Sequence, residues 1–183
     1  YRTCDDETLA FYQRAIERLR VKTPGLSDKN RTAMAQFNDP KAVTRYVALP
    51  SNLWTKAIEI SATTEGKKKR KAAQLMIQAA IAIEIMMFAP IRIQNLSTIR
   101  LDEHMGWQAD RLRLSFPAHE VKNDQALDFL LPAEASERIK RYIKEWRSLF
   151  IPATNPYLFP GRNGKAKDQS ALRNQMKKAI FDH

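Results

Sequence analysis

Apolar residues recur at helical spacing along most of the chain, in segments separated by short polar or proline-containing breaks. Leu9, Tyr12, Ile16 and Leu19 share one face behind Asp5-Asp6-Glu7, acidic residues that complement the positive end of a helix. Pro24-Gly25 closes that segment. Ser27 or Asp28 can cap a second helix through Met34 and Phe37, before Asp39-Pro40 breaks the chain again. From Leu49-Pro50 the spacing of Leu53, Trp54, Ala57, Ile58 and Ile60 predicts a third. A polar stretch from Thr63 to Lys71 follows. Ala79 to Phe88 is then almost wholly apolar, interrupted by Glu84, and it stops at Pro90, whose ring clashes with a preceding turn and which lacks an N–H. Ile91, Asn95, Leu96 and Ile99 resume helical spacing, so Arg92 sits at a junction with apolar anchors on both sides.

After Trp107 the period changes to two. Leu112, Leu114 and Phe116 alternate with Arg111, Arg113 and Ser115, the pattern of a half-buried strand, which Pro117 ends. Leu127, Phe129 and Leu131 form one face of a second strand, leaving Lys122 and Asn123-Asp124 in the turn between. Pro132 introduces a helix with Ile139, Tyr142, Ile143, Trp146 and Phe150 on one stripe. Pro152 to Pro160 reads as a loop and Gly161 to Gly164 as a turn. Asp168 or Ser170 then caps a last helix bearing Leu172, Met176, Ala179 and Ile180. The sum is a mainly α fold with a small antiparallel β-sheet, an α+β class.

The 183 residues are enough for a sizeable core. A formal charge of +11 and a pI near 9.9 point to a polyanionic partner, nucleic acid first, against the plainer reading of a soluble basic surface. A single cysteine, Cys4, excludes an internal disulfide and fits a reducing cytoplasm. Cys4, His104, His119 and His183 lie too far apart in sequence for zinc-ligand spacing, so no metal is expected. No signal peptide is visible. Residues 72 to 91 raise a membrane question, but Gln74, Gln78, Glu84 and Pro90 favour a buried core helix. Glu84, on an otherwise apolar helix, needs a partner, with Arg92 and Arg100 the candidates.

Lys67, Lys68, Lys69, Arg70 and Lys71 form either a solvated helix start or a phosphate-contacting patch beside the helix that leads to Arg92. Arg111 and Arg113 on the open sheet face, and Arg173, Lys177 and Lys178 on the polar side of the last helix, carry the same two readings. Arg92 is either one half of an ion pair or a phosphate clamp, for which its planar five-donor fork suits better than a lysine.

Residues 89 to 132 resemble the catalytic domain of tyrosine recombinases, the phage-integrase family. The resemblance rests on Arg92, Leu96, Ile99 in the place of a second leucine, Asp102, and Lys122 within Val121-Lys122-Asn123-Asp124 between two strands. Two positions depart from the family pattern. Ala89-Pro90 replaces a Thr-Gly turn, and Asn95 stands where glutamate is common, able to accept a hydrogen bond from Arg92 without charge.

The resemblance implies a partial DNA breaking–rejoining fold. Residues 1–45 would be a flanking helical segment or the end of an N-terminal DNA-binding domain, and 46–183 the N-terminal portion of the catalytic domain. Arg92 would hold a non-bridging oxygen of the scissile phosphate, and Lys122, on a mobile hairpin, would protonate the leaving 5′-oxygen. The chemistry is cofactor-free. The partner would be double-stranded DNA, with an intact parent that self-associates on it and cuts and rejoins strands through a 3′-phosphotyrosine. A His-x-x-Arg motif and the nucleophilic tyrosine belong beyond the last predicted helix. Tyr1, Tyr12, Tyr46, Tyr142 and Tyr157 all precede that place, so these 183 residues are expected to bind DNA without cleaving it. A non-catalytic helical DNA-binding or regulatory module, and a protein-interaction scaffold, are the competing readings.

Overall fold

A computed structural model describes residues 27–63, 66–150 and 154–182. The first predicted helix, with Tyr12 and Cys4, lies outside the described residues. The chain divides into two compact units, Tyr1–Arg45 and Tyr46–His183.

In the first unit, α1 (Asp28–Ala35) begins beside Ser27, whose Oγ accepts from the Asn30 N–H at 3.4 Å, and it buries none of its residues. A 3₁₀ turn, Gln36–Asn38, follows. The next helix, α2 (Pro40–Thr63), starts nine residues or more before the Leu49-Pro50 predicted from the sequence. Asp39 accounts for the difference. Its carboxylate accepts from the Lys41 N–H at 2.9 Å, and Pro40 occupies the first helical position, where a missing N–H is no loss. Pro50 is therefore inside a helix, and the buried face Leu49, Pro50, Leu53, Trp54 and Ala57 belongs to the second unit.

That unit is organised around α3 (Lys67–Phe88), which packs against the later helices. Its Lys68–Phe88 stretch is long and apolar enough to cross a membrane, at mean hydropathy 1.4. It carries two buried polar groups, Gln78 at its middle and Glu84 in its last turns, both satisfied. Glu84 receives the guanidinium of Arg138, Nε at 2.9 Å and Nη2 at 2.5 Å, so the partner is neither Arg92 nor Arg100. Gln78 donates to the buried Tyr142 hydroxyl, which donates onward to the Leu158 carbonyl at 3.1 Å. Arg138 also reaches Glu134 at 2.7 Å, and the Glu84 carboxylate beside it raises its pKa further.

Beyond Pro90 comes the short α4 (Ile93–Ser97), then a three-stranded antiparallel sheet in the order β1 (Met105–Gln108), β2 (Arg111–Phe116), β3 (Leu127–Leu130). In the register, Leu114 faces Met105 on one side and Phe129 on the other. Leu112, Leu114 and Phe116 are fully buried, as their alternation requires. Strand β1 adds to the two strands read from sequence. The β2 backbone is tied to the next helix, α5 (Ala133–Arg141), through the Leu112 N–H and Ser136 Oγ at 2.8 Å.

The helix predicted after Pro132 is broken into three. α5 gives way to a π-helical turn, Tyr142–Trp146, and a 3₁₀ turn, Arg147–Leu149. Tyr142 and Trp146 stay buried across the change, and Arg147 is turned inward, where its Nε donates to the Tyr157 carbonyl at 2.9 Å and its Nη2 to that of Asn155. The last helix, α6 (Gln169–Phe181), is capped by Asp168, not Ser170, through the Ala171 N–H at 2.9 Å. Leu172 and Ala179 are buried on it, while Ile180, expected on the apolar stripe, is largely exposed.

Candidate nucleic-acid interface

Arg92 occupies the residue before α4 in extended conformation (φ −68°, ψ 150°), and its carbonyl accepts the Leu96 N–H at 2.9 Å. Buried Ile91 and Leu96 on either side fix the backbone while the guanidinium stays exposed. Its Nη2 donates a long 3.4 Å bond to Asn123 Oδ1, on the connection between β2 and β3. Lys122, the neighbouring residue, is exposed on the same connection. Arg92 and the connection that carries Lys122, thirty residues on in sequence, thus adjoin at one corner.

That connection runs from Pro117 to Ala126 and is tied down on both sides of Lys122. Asn95 Nδ2 donates to the Glu120 carbonyl at 3.0 Å. Val121 is buried, and the Asp124 N–H bonds its carbonyl at 2.9 Å, with Asp124 in the left-handed region (φ 51°) that aspartate tolerates. Asn95 therefore acts differently from the sequence expectation. It is buried and holds the connection, and its amide does not accept from Arg92.

His104 was not singled out as a site residue, and no local motif marks it. It is buried, stacks on Phe116 with centroids 5.0 Å apart, and its Nδ1 accepts the Arg100 N–H at 2.9 Å. With that nitrogen an acceptor, the proton lies on Nε2, which faces Glu120 Oε2 at 2.9 Å. Glu103, His104 and Glu120 bring ligand atoms within 4.8 Å of one another, a grouping that sequence spacing concealed. A cation there would have to displace the Nε2 proton, so the arrangement acts as a strut between the start of β1 and the connection carrying Lys122. Asp102 pairs with Arg100 at 2.7 Å, which holds its carboxyl below the usual range.

The remaining basic residues divide into compensated and open ones. Arg113 is bonded by Asp128, Nε to Oδ1 at 2.8 Å, and that hydrogen bond lowers the Asp128 pKa. Arg111 donates to the carbonyls of Leu131 and Leu130 at 2.9 and 3.3 Å. Both guanidiniums on the sheet are thus already engaged. Arg173 and Lys177 are exposed on α6, which packs against α4, and neither has an ion-pair partner among the described residues. Lys67–Lys71 begin α3. At 1.5 Å per residue they lie about 30 Å from its far end, which leads to Arg92. The run thus begins the helix that leads to Arg92, at the end away from it. Lys68, Lys69, Arg70 and Lys71 are exposed at the positive end of the helix dipole.

Compared with known proteins, the chain matches no family model, no curated protein and no solved structure.

Proposed function

We propose that the second unit is the N-terminal portion of a tyrosine-recombinase-type catalytic domain, and that its Arg92–Lys122 corner engages one phosphate of double-stranded DNA. The observation that carries the reading is the bond from Arg92 to Asn123, the residue adjoining Lys122. The element order supports it too: arginine before a short helix, then three antiparallel strands, with the lysine between the second and third.

In this reading Arg92 neutralises a non-bridging oxygen, and Lys122 supplies a proton to a departing 5′-oxygen. Asn95 and Val121 act on the backbone that carries Lys122, and His104 on the Glu120 side chain beside it. Asn123 holds the guanidinium in place and yields to phosphate, a better acceptor than a neutral amide. Arg173 and Lys177 extend the basic surface along the DNA. The 183 residues contain no His-x-x-Arg and no tyrosine following one, so on their own they bind duplex DNA and do not form a phosphotyrosine bond. An intact parent would perform integration or recombination in the cytoplasm, assembled in copies on its DNA.

Duplex binding titrated across a salt series tests this. Arg92→Ala should weaken binding roughly tenfold or more, the worth of a charge-assisted bond of about 1.5–3 kcal/mol, and flatten the salt dependence by about 0.9. Arg92→Lys should recover part of the slope and little of the affinity. Binding by both variants equal to that of the unaltered chain would remove the reading. So would a covalent adduct trapped on a suicide substrate, for the claim that these residues do not cleave.

A further inference from the structure

Between α2, α3 and α6 lies a hollow of about 630 Å³ walled largely by Leu53, Leu75, Met76, Ala79 and Ala179. That volume is within the roughly 300–1,000 Å³ of small-molecule sites. Lys167, Asn174 and Gln175 interrupt the apolar wall. The exposed Lys178 and Asp182 also border it, one of each sign.

Lys167 is unusual among the cations of this molecule. Its Nζ donates to Gln78 Oε1 and to Gln175 Oε1, both neutral. The two amides are fixed from behind: Gln78 Nε2 donates to Tyr142, and Gln175 Nε2 to the Leu75 carbonyl at 2.6 Å. Both therefore present oxygen to the ammonium. Among the described residues no carboxylate pairs with Lys167 and its third N–H has no acceptor. Burial alone pushes its pKa down to about 8. An ammonium so placed loses hydration without an opposite charge to offset the loss.

We infer that this hollow is a binding site for an amphipathic monocarboxylate, a straight-chain fatty-acid-like anion whose carboxylate meets Lys167 and whose chain lies along Leu53, Leu75, Met76 and Ala79. A half-buried cation, Lys167, in an apolar wall matches one negative charge on an apolar body, while the exposed Lys178 and Asp182 at its border offset each other. The site lies on other elements than the Arg92–Lys122 corner and stands independently of the DNA reading.

Isothermal titration of the 183-residue chain with decanoate and with decan-1-ol tests the assignment, using sub-micellar ligand. Decanoate should bind about tenfold or more tightly than the alcohol, because the charge-assisted bond is available to it alone. Lys167→Met, which keeps the stem and removes the charge, should bring the two ligands to the same affinity. Ala171→Trp, made at an exposed residue bordering the hollow, should weaken both. Equal binding of acid and alcohol to the unaltered chain overturns the inference. A preference that survives in Lys167→Met does so too, as does the absence of saturable decanoate binding.

Discussion

Arg138 and Arg92 lie near the end of the same long helix, one against its last turns and one just past its end, and their surroundings differ in kind. Arg138 gives its guanidinium to Glu84 and Glu134, with Glu84 buried. Arg92 is exposed and meets a single neutral oxygen, that of Asn123, at 3.4 Å. The first arrangement ties α5 to α3, and its positive charge is met within the fold. The second leaves a positive charge held in position but not neutralised, which is the state a phosphate-binding group needs before its ligand arrives. The contrast separates arginines that hold this protein together from those open to a partner, and sequence alone ranks them alike.

The comparison can be broken most sharply at Arg138. Arg138→Ala leaves the buried Glu84 carboxylate without its partner, and should destabilise the chain by about 3 kcal/mol or more in chemical denaturation. Arg92→Ala, by contrast, should shift stability by less than about 0.5 kcal/mol. Similar losses in the two variants would erase the distinction.

A smaller effect separates Lys167 from the paired cations. Its folded pKa of about 8 lies below the 10.5 of an unperturbed lysine, so between those values the unfolded chain binds more protons. Stability contributed at this residue should therefore rise as pH increases from about 8 to about 10.5, and stay flat below. The difference in denaturation midpoint between the unaltered chain and Lys167→Met isolates it, since Lys178 and Asp182 are common to both. The difference should change across that window in favour of the unaltered chain.

The smallest expected effect concerns the sheet. Asp128→Ala frees Arg113 and removes a negative charge from the basic face, so duplex affinity should increase by a few-fold at low salt and not at high salt. Arg113→Ala, with its partner already engaged, should leave affinity within about twofold. A large loss in Arg113→Ala would move that residue among the open arginines.

Much of the fold was legible wherever a period was long and clean. The apolar run to Phe88, the alternation Leu112–Leu114–Phe116 and the Asp168 cap all reflect local rules that the tertiary structure respects. Strand β1 was hidden because Met-Gly-Trp-Gln is four residues long and mostly exposed, and its turn, Ala109-Asp110, lacks the asparagine–glycine chemistry that announces a two-residue hairpin; Ala109 adopts φ 55° without it. The early start of α2 was hidden because Pro40 and Pro50 look equivalent until Asp39 is seen capping one of them. At the site, Arg92 and Lys122 were readable as residue types in order. The roles of Asn95, His104 and Glu84 were not, because each depends on a partner 16 to 54 residues away.

The π-helical turn at Tyr142–Trp146 makes chain length itself a constraint. With one residue fewer between Ile139 and Arg147 the backbone would relax to an ordinary helix, and everything downstream would rotate by about 100°. Arg147 would swing away from the carbonyls of Asn155 and Tyr157, and the segment feeding Leu158 and Phe159 into the core would lose its clasp. A deletion there would thus do more harm than most substitutions, although no side chain need change.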